Sequence, residues 1–230
     1  MTWNDILGIA CTVSFMFPVV VIIYNRFYTH RSLAALVVYF LMTGVYILMS
    51  ENIFAVPDAF LHNYALADNY LDTPLMLTTL LFFCPSRQKQ RKVWMFTFSF
   101  LCYEIVLTLM YGFSSKAMIN IIGPGIAIIL IYTFYLFVNQ VKFSIMHHKN
   151  HGRMVMLAAI LFSYSCYGII YYFFYIQKTP FKSDALTIYY ISSIVSSTIM
   201  AVGLQLMRKR IKELQALRIT RKELALFFGH

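Results

Sequence analysis

Residues 67–83 read A-D-N-Y-L-D-T-P-L-M-L-T-T-L-L-F-F. The run is long and apolar enough for a membrane helix, yet it carries two aspartates. Asp68 and Asp72 are four residues apart and share one helix face. Pro74 follows two residues later. A carboxylate in hydrocarbon is costly, so two on one face point into a bundle or a wet cavity. This stretch therefore marks the interior of an all-α membrane protein.

The rest of the chain agrees. Its 230 residues are 60% hydrophobic and 12% charged, with mean hydropathy +0.68. A soluble domain carries about 25% charged residues. Apolar segments cover residues 5–24, 33–54, 64–84, 93–113, 117–138, 154–176 and 185–207, each near the ~20 residues that cross a bilayer as helix. These form one seven-helix transmembrane domain, residues 1–207. Residues 208–230 form a basic cytoplasmic helix.

Charge alternates between the connections. Arg26, His30 and Arg31 follow the first segment, and Arg87, Lys89, Arg91 and Lys92 the third. Lys142, Lys149 and Arg153 follow the fifth, and Arg208, Lys209, Arg210 and Lys212 the seventh. The remaining turns are poorer in basic residues. Positive residues stay inside, so the N-terminus is expected outside and the C-terminus in the cytoplasm. The net charge of +10 then reflects topology and lipid contact, not nucleic acid. Residues 1–7 lack the basic region of a cleaved signal peptide. The expected location is the bacterial inner (plasma) membrane.

Polar residues inside the apolar segments are the candidate site. Asp68, Asp72 and Thr79 lie near one stripe of the third helix. Such a stripe serves a proton or ion path; it serves equally a structural network of aspartates bonded to Ser, Thr or Tyr. Glu104 sits mid-helix in the fourth segment, where an acid is functional by default or pairs with a neighbouring hydroxyl. Glu51 ends the second segment, either solvated at the headgroups or acting as an outer gate. Gly123-Pro124-Gly125 in the fifth is expected to kink or bulge. His147, His148 and His151 fit no standard closed metal site; a solvated loop is the simpler reading. Cys11, Cys84, Cys102 and Cys166 all lie in apolar segments and suggest neither disulfides nor a metal. Tyr164, Tyr167, Tyr171 and Phe174 form one aromatic face of the sixth helix, which packs or lines a ligand pocket, and whose tyrosine hydroxyls can serve the two aspartates.

The third and sixth helices together resemble the microbial (type 1) rhodopsin family. In that family an acid stands six residues before a third-helix proline, as Asp68 does before Pro74. Some sodium-pumping members instead place an aspartate two residues before it, where Asp72 stands. The sixth-helix pattern aromatic-Ser-Ala-Tyr-Pro-x-x-Trp is similar to Tyr164–Tyr171, with Gly168 for proline and tyrosine at the tryptophan positions. The departures are larger. Counting from the basic end, the position of the family's retinal lysine falls on Ile199, and no lysine lies between Lys182 and Lys209. The seventh-helix aspartate position falls on Val195, the third-helix arginine on Ala65, the tryptophan after the first acid on Asn69 and the cytoplasmic proton donor on Thr79.

The resemblance thus implies a rhodopsin-like protein unable to form a retinal Schiff base. The expected function is binding or signalling around a polar central cavity, with no covalent cofactor and with retinal or another apolar ligand held non-covalently at most. Expected partners are the bilayer and a membrane protein or second copy, met through the helices or the basic C-terminal helix. The alternative is a proton or cation transporter or channel using Asp68 and Asp72. Enzymatic activity is not expected: the chain lacks HExxH and any visible Cys/His or Ser/His pairing.

Overall fold

Without water to satisfy backbone N–H and C=O groups, apolar segments cross a bilayer as helices. The computed structural model describes residues 3–84, 86–147, 151–177 and 182–228. Seven helices run in order: α1 Trp3–Tyr24, α2 Arg31–Ser50, α3 Asp58–Leu80, α4 Arg87–Tyr111, α5 Ser115–His147, α6 His151–Tyr171 and α7 Lys182–Phe228. There is no strand among the described residues. Each helix packs on its chain neighbours, and α7 closes the ring against α1. α3 also reaches across to α5.

Six of the seven, all but α3, are long and apolar enough to cross a membrane. α3 has 23 residues, about 34 Å at 1.5 Å per residue, which is ample length. Its composition is what falls short: Asp58, His62, Asn63, Asp68, Asn69 and Asp72 all lie on it. A helix this polar needs protein on its flanks. α2, α4 and α5 supply it.

α4 shows the opposite pattern. It buries one narrow stripe, Val93, Thr97, Phe100 and Glu104. Around that stripe Trp94, Met95, Phe98, Ile105, Leu109 and Met110 stand exposed. An apolar surface of that extent suits hydrocarbon, not water.

The expected kink at Gly123-Pro124-Gly125 does not break the helix, since α5 runs continuously from Ser115 to His147. The glycines permit close packing instead. A Cβ on Gly125 would stand 2.2 Å from Thr73 Oγ1, and one on Gly123 2.7 Å from the Tyr171 hydroxyl. α6 and α7 meet backbone to backbone. A Cβ on Gly152 would lie 2.6 Å from the Gly203 carbonyl oxygen. Small residues at crossing points are how membrane helices gain van der Waals contact.

The end of the bundle carrying the basic turns is held by cations on aromatic faces. Arg153 lies 4.8 Å from the Phe82 ring, and His30 meets the same ring edge-on at 5.1 Å. Arg208 sits 5.0 Å from Tyr24 and Lys89 5.3 Å from Tyr135. α7 passes position 207 without interruption, and its backbone stays helical to Phe228. The side chains expected to form the basic helix's apolar side, from Ile211 to Phe228, lie outside the described residues. So do His148 and Lys178. His151 is within them and bonds Ser144 Oγ at 2.9 Å.

Candidate polar core

α3 projects Asp72 toward α6, and α6 answers with Tyr164. The Tyr164 hydroxyl donates to Asp72 Oδ1 at 2.8 Å, and the ring is 1% exposed. Tyr39 of α2 is buried beside this pair. Tyr164 meets Tyr167 edge-on with centroids 5.5 Å apart. Tyr167 stacks on Tyr189 of α7 at 5.4 Å, and its hydroxyl lies 3.1 Å from Ser193 Oγ. The network therefore joins α3, α6 and α7. A second bond, Ser197 Oγ to Ser14 Oγ at 2.9 Å, ties α7 to α1.

The three tyrosines of the aromatic face do not converge on one point. Tyr164 serves Asp72 and Tyr167 serves Ser193, while Tyr171 donates to the Ile119 carbonyl at 3.0 Å. Beyond Tyr171 the chain winds into a π-helical turn, Tyr172–Ile176, which carries Phe174 off the regular spacing. The other acids also find separate places. Asp68 takes a long 3.5 Å bond from Thr43 Oγ1. Glu51 accepts a hydrogen bond from Tyr190 and folds its side chain over Gly8, so it is engaged with α1 and α7. Thr79 is fully buried but donates to its own helix at Leu75. Glu104 is 5% exposed, and among the described residues nothing bonds its Oε1.

The central cavity is small. Phe15, Tyr39, Met76, Tyr164, Ser196 and Met200 are among the residues enclosing about 20 Å³. That is room for a single water; pockets for drug-sized ligands run to about 300–1,000 Å³. Toward the basic turns, Leu77, Leu80, Leu157, Ile160 and Leu204 close the core with apolar side chains.

The seventh-helix positions Val195 and Ile199 lie beside the cavity, not on its wall. Val195 is 39% exposed, and Ile199 packs at the edge of the core. The residues lining the cavity are Ser196 and Met200. Both pairs have the same spacing of four, so Val195 and Ile199 each stand one residue before a cavity-lining side chain. One residue turns a helical side chain by about 100°, enough to move it from lipid to core.

Tyr39, Ser193 and Tyr190 escaped the sequence reading. The signal was present for the serines. Ser192, Ser193, Ser196 and Ser197 form two pairs in an otherwise apolar helix, a pattern that marks a helix interface. Tyr39 carries no such local signal. Among the described residues no cluster of His, Cys, Asp or Glu could hold a metal. Compared with known proteins, the chain matches no family profile, no curated protein and no solved structure.

Proposed function

We propose that this is a rhodopsin-like seven-helix membrane protein, N-terminus outside, that forms no retinal Schiff base and works by helix motion in response to a bound partner or apolar ligand. The observation that carries the reading is the Asp72–Tyr164 hydrogen bond in a core with room for one water. A cavity with room for one water supports a packed latch over a wet path. A single interhelical hydrogen bond, about 0.6 kcal/mol on average, is weak enough for a ligand's differential affinity to break. α3 and α6 are thus joined by a latch that binding elsewhere can open.

Spin labels at His62 and Ile176, both exposed near the non-basic ends of α3 and α6, test this by pulsed distance measurement. The wild type should give one narrow distance. Tyr164→Phe should broaden or shift it. An unchanged distribution would reduce the bond to packing and remove the reading.

A second reading, proton or cation transport, draws on the acids: Asp72 lies close enough to interact with both Asp68 and Glu104. Proteoliposomes carrying a pH-sensitive dye and a potassium diffusion potential decide between the two. Flux that is lost in Asp72→Asn would replace the latch with a path.

A further inference from the structure

Glu104 is the one acid of the core whose buried oxygen has no partner among the described residues, and it does not face the Asp72–Tyr164 latch alone. It also lines a groove of about 440 Å³ between α3 and α4, with Ala67, Tyr70 and Leu71 on one wall and Ile105, Leu109 and Phe113 among those on the other. That volume falls in the range of small-molecule pockets. The groove runs along α4 from Leu101 past Glu104 to Phe113, so a carboxyl group lies within it, below a mouth on the side opposite the basic turns.

Its chemistry is lopsided. The walls are almost wholly apolar side chains. Thr108 is already engaged: its hydroxyl donates to the Glu104 carbonyl at 2.7 Å and lies 3.1 Å from the Tyr70 hydroxyl, which can donate to it. Tyr70 and Phe113 bring their rings together near the mouth, with centroids 5.1 Å apart. An acidic oxygen without a donor in a dry setting calls for a cation or a strong donor. Aromatic faces beside it favour a cation further.

We propose that the α3–α4 groove binds a hydrophobic amine, a single ammonium group on a compact apolar body. The ammonium meets Glu104, the body fills the space against Leu71, Ile105 and Leu109, and the Tyr70–Phe113 pair flanks the entrance. Zwitterionic lipid heads fit less well, because their phosphate would enter the same dry groove as the carboxylate. The site adjoins the latch, but amine binding in the groove does not require the latch to open.

The test uses the purified full chain in maltoside detergent, with tritiated 1-adamantanamine as the probe and 1-adamantanol as its uncharged match in shape. Saturable binding should appear, displaced by unlabelled amine and not by the alcohol at equal concentration. Glu104→Gln should weaken binding at least tenfold. Ile105→Trp, which fills the groove, should abolish it, while Met95→Trp, on an exposed part of α4 outside the groove, should leave it intact. No saturable binding of the amine, equal displacement by the alcohol, or wild-type affinity in Glu104→Gln would each overturn the proposal. If Glu104→Gln does not fold, the tryptophan pair decides: equal retention or equal loss in both variants overturns it.

Discussion

Tyr164 does two jobs with one side chain, and they can be separated. Its ring fills the middle of the bundle, and its hydroxyl holds Asp72. Removing only the hydroxyl should cost little, because the other states of a membrane protein also find partners for their polar groups. Tyr164→Phe is expected to lower stability by about 0.6 kcal/mol, and not beyond about 1.7 kcal/mol. Removing the ring opens a cavity among close-packed neighbours, so Tyr164→Ala should cost about 3–5 kcal/mol by analogy with buried phenylalanine. Denaturant titration in mixed micelles, followed by circular dichroism, measures both. Equal losses would mean that the hydrogen bond, not the packing, carries the residue's weight. The same division explains what was legible here. Acid and tyrosine within an apolar chain announced a polar interior. That sixth-helix tyrosines could serve the two aspartates was also legible, and Tyr164 does bond Asp72; which tyrosine meets which acid did not follow, because it depends on the relative rotation of two helices far apart in sequence.

Helix positions were readable because each apolar run carries its own length. Helix contacts were less so. Gly123-Pro124-Gly125 looked like a weak point along α5, but its glycines matter across the bundle, where Thr73 and Tyr171 press against them. On α7 a basic end sets depth but not rotation, so counting from it did not tell which of Val195, Ser196, Ile199 and Met200 line the cavity; Ser196 and Met200 do. α3 was read as an apolar run over residues 64–84, yet it is the one helix of the seven too polar to count as a span by composition; α2, α4 and α5 pack around its polar residues. Glycines give the cleanest element-scale test. Gly152 faces the backbone of α7, which cannot yield, whereas a Cβ on Gly168 would meet only Ile126 and Leu130 at 3.6 Å and 3.9 Å. Gly152→Ala should therefore force α6 and α7 apart and lower the melting temperature clearly. Gly168→Ala should leave it unchanged or raise it slightly, since alanine is the better helix former by about 1 kcal/mol. Thermal unfolding of the two variants side by side checks the assignment. A larger loss for Gly168→Ala would mean that the α6–α7 crossing lies elsewhere.

At the scale of the whole molecule, two features bear on the proposal that this bundle forms no retinal Schiff base. α7 has no lysine between Lys182 and Lys209, so no amine stands where an aldehyde could condense. The second is volume. Tyrosine rings leave about 20 Å³ at the centre, far below the few hundred Å³ a ligand of that class needs. Restoring the amine alone therefore should not restore a pigment. Incubating the wild type with all-trans retinal should give no absorption band beyond the aromatic region, and borohydride should trap no adduct. Met200→Lys puts an amine on the cavity wall, yet it should also stay colourless, because the space is still filled. Ile199→Lys should stay colourless for a further reason, since its side chain sits at the edge of the core. Absorption spectra of the three proteins, each confirmed as folded by circular dichroism, make the comparison. Colour in Met200→Lys would show that the tyrosines move aside readily, turning the closed core into a gate. Colour in Ile199→Lys alone would support the register counted from the basic end and displace Ser196 and Met200 from the centre.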